Sequence, residues 1–356
     1  MASSMDPETS ENGGDHPSLL HRIGHFGSTI GRKAPKKRST KLILQGGFAF
    51  LIFGFLVLTV VTQWSELQDK GVAFNLIWLL PAIGTMLLYY VGSASVWGLI
   101  LTFMHSHVPP MEVQKIWAQP LLVRYIPGTV LFLLARVLMA EKAGVSRRVT
   151  SAGIVYEQAV SIAGALSVAT YFLIAHPDLQ GKPVRWIPLL IIPLMVGLLH
   201  PRVFGPVSGR LLTALGRDPL PKLLSFGGVL TIYCCYVGLW SLMGLGVYLA
   251  ARSVFFLDIT ELPIVAASQM IGFLAAIFSA VTPAGLGVRD AAFAWAVKVA
   301  LPSGSFGVGA AIAIAVRATQ TVVELIYVGI VTAMARRSGK AEEEMVDVLR
   351  EEARAG

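Results

Sequence analysis

The residues of this chain with the most chemical potential are charged groups set inside apolar runs. Arg124-Tyr-Ile-Pro-Gly128 follows Gln119-Pro120. Pro127 and Gly128 interrupt helical hydrogen bonding and free backbone groups, which a membrane tolerates only where protein or water satisfies them. A helix restarting at Thr129 aims its free N–H groups at that break. Such an end attracts anions, phosphate among them, and Arg124 adds a full positive charge. A second interruption is Thr282-Pro-Ala-Gly-Leu-Gly-Val-Arg-Asp290. Pro283, Gly285 and Gly287 predict a loop, and the helix that follows starts near Val288 with Arg289 in its first turn. Each segment alone reads equally as a kink or a tight turn between packed spans. Two in one chain match the paired interrupted segments that mark substrate sites in repeat-built transporters.

Glu157 lies in the next apolar run, with Ser161 four residues on and on the same helical face. In the last run Arg317, Gln320, Thr321 and Glu324 share one stripe, being three, four and seven residues apart. Arg317 and Glu324 are two turns apart, so each is expected to pair with another helix, with Glu157 and Arg289 as candidates. Glu157, Asp290, Arg317 and Glu324 thus form an expected intramembrane polar network. It fits two readings: an architectural ion network that fixes helix packing, or a polar cavity for a lipid headgroup. Arg136, Glu141 and Lys142 are read as marking a membrane boundary, with no chemistry. No nucleophile–base, zinc-protease or phosphate-loop motif is present. His105 and His107 alone are a weak metal signal, and the adjacent Cys234 and Cys235 read as small packing residues. The reading is therefore not an enzyme, with no metal and no cofactor.

The elements that position these groups follow from composition. Hydrophobic residues make up 54% of the 356 and charged residues 14%, with a mean hydropathy of +0.66. Soluble domains carry about 25% charged residues. The formal charge is +8, but the basic residues sit in gaps between apolar runs rather than on one face, so nucleic acid is not expected. The runs are 42–62, 76–103, 117–140, 150–175, 187–200, 225–250, 263–281, 284–301 and 306–334. These predict an all-α polytopic membrane bundle. Residues 1–41 read as a disordered basic tail, 42–334 as the membrane domain and 335–356 as a charged tail that includes a short helix former. No signal peptide is expected ahead of the first run.

Charge sets the orientation. If 117–140 dips in as a re-entrant or broken hairpin and the other eight runs cross, the five longer inner segments hold seventeen Lys/Arg against four in the outer ones. That bias predicts a multi-pass cell-membrane protein with both termini cytoplasmic.

The Arg124-Tyr-Ile-Pro-Gly128 segment, Tyr156-Glu157 and Thr282-Pro-Ala-Gly-Leu-Gly-Val-Arg-Asp-Ala-Ala292 together resemble the flippase-like membrane region of bacterial lysylphosphatidylglycerol synthases (multiple peptide resistance factor). The family's form of the last motif is roughly Pro-Gly-Gly-Leu-Gly-Xaa-Arg-Glu; here Ala284 and Asp290 stand at two of its positions. The resemblance spans about residues 42–335. It implies a stand-alone member, without the synthase module, that moves an anionic or aminoacylated phospholipid, or a polyprenyl-linked lipid, between leaflets. On that reading the headgroup binds at Arg124, Pro127, Gly128, Gly285, Gly287 and Arg289. The alternative is a non-transporting scaffold for a cell-envelope glycosyltransferase or lipid synthase.

Overall fold

The structure, a computed structural model, describes residues 75–125, 129–175, 180–214, 223–278, 288–301 and 306–355. The tail 1–41, the first apolar run 42–62, and Pro127, Gly128, Gly285 and Gly287 lie outside them, as does the side chain of Arg124. All regular structure among the described residues is helical. Among the described residues, five helices are long and apolar enough to cross a membrane, or six if one bent pair counts as a span.

Helix α1, Leu76–Phe103, starts where the Asn75 side chain accepts the N–H of Ile77 at 3.1 Å. That cap satisfies one of the free donors at the helix start. A long gap then holds three short pieces: α2 at Pro110–Ala118, a 3-10 turn at Gln119–Tyr125 and α3 at Thr129–Lys142. None is long enough to cross alone. Helix α4, Arg147–Ala175, is again of spanning length. Gly153, two turns into it, lies against Ile100 and Leu101 near the end of α1. The 104–146 segment therefore starts and finishes at the same end of the bundle.

Helices α5 (Ile187–Leu198) and α6 (Pro201–Ala214) meet at a 67° bend. Pro201 at the first position of α6 has no N–H to continue the ladder from α5. Residues 201–214 of the expected inner segment 201–224 are helical, with Arg202 and Arg210 exposed. On α5, Leu189, Leu190, Leu194 and Leu198 face outward, as lipid allows and water disfavours.

Helix α7 is Phe226–Arg252, capped by Ser225, whose hydroxyl accepts the N–H of Gly228. It runs antiparallel to α1: Asn75 donates its N–H to the Ser253 carbonyl at 2.7 Å at one end, and Gly228 meets Phe103 at the other. It crosses α4 at Gly164, where a Cβ would stand 3.1 Å from the Tyr236 backbone. A small residue there favours that close approach.

Asp258 and Glu261 then form a reciprocal capping box ahead of α8, Leu262–Phe278. Helix α9, Val288–Ala300, has 13 residues, about 20 Å of rise. Within the run 284–301, expected as a full crossing, the described helix alone is short of the roughly 30 Å hydrocarbon thickness, and 284–287 lie outside the described residues. Helix α10, Phe306–Ala355, has 50 residues. The expected separate tail helix is instead continuous with the last span, because nothing after Met334 breaks the ladder: 335–355 hold no proline and a single glycine, Gly339.

Candidate functional site

Polar groups from eight helices meet in one cavity of about 190 Å³. Its floor is an ion pair. Glu157 of α4 is 3% exposed and Arg136 of α3 is 1% exposed. Arg136 Nη2 stands 2.6 Å from Glu157 Oε2. The other carboxylate oxygen, Oε1, accepts the indole N–H of Trp117 at 2.9 Å and the hydroxyl of Tyr236 at 3.2 Å. The Arg136 guanidinium also lies 4.4 Å from the centre of the Trp97 ring and 5.9 Å from that of Trp117. Cation–π attraction of this kind strengthens when the cation is desolvated.

Arg136 corrects the sequence reading, which placed it at a membrane boundary. Glu141 is exposed and pairs with Arg147 at 2.7 Å. Arg136 sits five residues earlier and faces inward with Ala140, one turn on. The four-residue repeat of Phe132, Arg136 and Ala140 carried that signal.

A second group of contacts joins α10 to its neighbours. Gln320, Thr321 and Glu324 are buried, as their shared stripe predicted. Arg289 of α9 donates to Gln320 Oε1, and Gln320 reaches the Met243 sulfur at 3.8 Å. Glu324 Oε1 accepts the Tyr90 hydroxyl at 2.5 Å. The expected partner assignment changes in part. Glu157 takes Arg136 as its cation rather than Arg317. Arg317 is half-buried and makes no side-chain hydrogen bond or ion pair among the described residues. Asp290 lies in the first turn of α9, where a negative charge suits the helix dipole, and it is not among the cavity-lining residues.

An aromatic wall separates the two groups. Tyr90 and Tyr327 stack at 5.6 Å, and Trp117 meets each of them edge-on at 6.1 Å. Tyr327 donates to Gln114 at 2.6 Å. Trp240 donates to the Ser161 carbonyl at 2.9 Å. Sequence reasoning missed these residues, because a tyrosine or tryptophan in an apolar run looks the same whether it packs or donates. The Tyr and Trp donors here point at charged or polar partners, which only the fold reveals.

Of the predicted headgroup residues, the structure places Arg289 in the cavity; Arg124 contributes backbone in the 3-10 turn before α3. Among the described residues no three His, Cys, Asp or Glu are grouped to hold a metal ion. No family model matches the chain, and no curated protein matches it.

The arrangement can therefore receive a charged, hydrogen-bonding group in a low-dielectric interior. Its volume is below the ~300–1,000 Å³ typical of pockets that enclose a whole small molecule. That size suits a polar headgroup whose remainder stays outside.

Proposed function

We propose that this chain moves a phospholipid or polyprenyl-linked lipid between membrane leaflets, with the headgroup passing through the central cavity while the acyl chains stay in the bilayer. The observation that carries this reading is the origin of the two cavity arginines. Arg136 comes from α3, after the α2–α3 interruption, and Arg289 from the start of α9, after α8, so both segments feed one polar chamber. Ionisable groups at membrane depth are costly and face substrate paths in transporters. Arg289 would hold the headgroup phosphate together with the broken-helix ends at 124–129 and 282–290. Glu157 and Glu324 would meet a cationic group or carry a coupling proton. This extends the family resemblance drawn from the sequence.

The topology that goes with it has about eight crossings, a re-entrant or broken hairpin at 117–140 and both termini in the cytoplasm. The return of α4 to the end of α1 supports the hairpin, and the seventeen-to-four basic bias supports the orientation. The scaffold reading draws on the extension of α10 through Ala355, a charged helical arm available for docking.

Leaflet exchange of labelled zwitterionic, anionic and lysyl-modified phospholipids in proteoliposomes tests the proposal. The expected result is exchange above empty liposomes that is lost in folded Arg289→Ala protein. Exchange retained in that variant removes Arg289 from the site. No exchange of any lipid by folded wild-type protein refutes transport and favours the scaffold.

A further inference from the structure

Helix α6 has one packed side and one bare side. The packed side fixes where the helix lies. The Phe204 ring is 4.7 Å from that of Tyr156 on α4, and His200, just before α6, is 4.9 Å from Phe226 at the start of α7. Two residues after Phe226, Gly228 meets Phe103, the last residue of α1. Helix α6 therefore begins at the level where α1 ends and α7 starts. It leaves α5 at 67°, so it turns across this end of the bundle instead of continuing the line of α5.

On the bare side, Arg202, Val203, Pro206, Val207 and Arg210 are all exposed, the valines at 40% and 59%. Neither arginine forms an ion pair among the described residues. The sequence holds no acidic residue between Asp178 and Asp218, so the face is purely cationic and apolar. Helical spacing puts Arg202, Pro206 and Arg210 on one flank and Val203 and Val207 on the next. The two arginines are eight residues apart, about 12 Å along the helix. Pro206 has no N–H and cannot close the helical bond to the Arg202 carbonyl. Hydrocarbon penalises an unsatisfied carbonyl and unpaired arginines alike. The headgroup layer accommodates the whole face: oxyanions for the arginines, water for the carbonyl and the upper acyl region for the valines.

We propose that α6 is an interfacial helix whose exposed face binds the phosphates of anionic phospholipids in the leaflet at this end of the bundle. Arg202 and Arg210 each take a phosphodiester oxygen, and Val203 and Val207 rest on the tops of the acyl chains. In the proposed orientation this is the cytoplasmic leaflet, whose negative surface attracts nearby basic groups. Such a face serves a transporter and a scaffold alike, so it does not rest on lipid translocation.

The test uses the full chain in liposomes, in a Cys234→Ala, Cys235→Ala background, with a bimane label on Val207→Cys. Phosphatidylglycerol or phosphatidylcholine with a nitroxide near the top of one acyl chain quenches the label on contact. A label on Leu194→Cys, on the outward face of α5, is the control. The expected result is quenching at both positions, with phosphatidylglycerol preferred several-fold at position 207 and not at 194. Arg202→Gln and Arg210→Gln each weaken that preference by about fivefold, and together they abolish it. Arg202→Lys with Arg210→Lys keeps it, and high salt reduces it. All these variants should melt like wild type, since the changed side chains are exposed.

Equal quenching by the two lipids at position 207 overturns the anionic site, as does a preference that survives the double glutamine variant. No quenching at 207 by either lipid overturns the interfacial placement. Iodide added to the water then tells where the face lies: quenching by iodide puts it in the aqueous phase, and protection puts it under a second copy or another segment of the chain.

Discussion

Removing Arg136 alone should be far more damaging than removing it together with Glu157. At 2.6 Å, and with an effective dielectric constant of about 20, the pair attracts by about 6 kcal/mol before desolvation is counted. Desolvation cancels much of that when both groups are present. When only Arg136 is lost, the Glu157 carboxylate stays buried with two neutral donors, Trp117 and Tyr236. Breaking one side of such a pair costs about 3–5 kcal/mol. At about 2–4 °C per kcal/mol for a domain of this size, the melting midpoint of Arg136→Gln in detergent should drop by about 6–20 °C. Glu157→Gln should fall comparably, and the double variant should recover at least half of the loss. A thermal-shift series on the four proteins measures the coupling. Equal midpoints for the single and double variants, or coupling below about 0.5 kcal/mol, would mean that the two side chains are not paired and that the floor of the cavity is built differently.

Tyr90→Phe removes the donor to Glu324 and should lower stability by about 1–2 kcal/mol, read as a lower melting midpoint; no change would place that carboxylate elsewhere. Gly309→Ala forces a methyl group into the Ala294 backbone carbonyl, so it should destabilise by about 1–3 kcal/mol. Gly329→Ala, with open space around it, should be neutral or stabilising, which makes it the matched control. Asp258 is held below its usual carboxylate pKa first by the backbone N–H of Thr260 and then by its hydroxyl. A depressed folded pKa gives stability that is present above the unfolded value of 3.8 and lost as pH falls through the folded value. Stability measured between pH 5 and 2 should therefore fall less steeply in Asp258→Asn than in wild type.

Spans with long, uniform apolar runs were legible to within a few residues: 76–103 matches α1, and 225–250 matches α7, Phe226–Arg252, to within two residues. Hydropathy over about 20 residues is a signal local to one segment. In the run 284–301 the described helix begins at Val288, and 284–287 lie outside the described residues. In the candidate site, Glu157, Arg289 and Glu324 stood out because charge inside an apolar run needs a reason. Arg136 was discounted because Glu141 and Lys142 follow it closely and share its chemistry. Its burial depends on which way α3 faces, and that is decided by packing against Trp97 of α1 and Glu157 of α4, which hydropathy along one segment does not report.

The uninterrupted course of α10 has a mechanical consequence. Arg337 ends its span-length apolar stretch, and the same helix runs on to Ala355, another eighteen residues or about 27 Å of rod. A rod continuous with a packed span is a pointer: a 10° tilt of the span would carry its tip sideways by about 5 Å. Gln320 and Glu324, which line the cavity, are on that same helix. A spin or fluorescent label near residue 350 would therefore read, at a distance and in water, any rocking of the helix that occurs when the chamber fills.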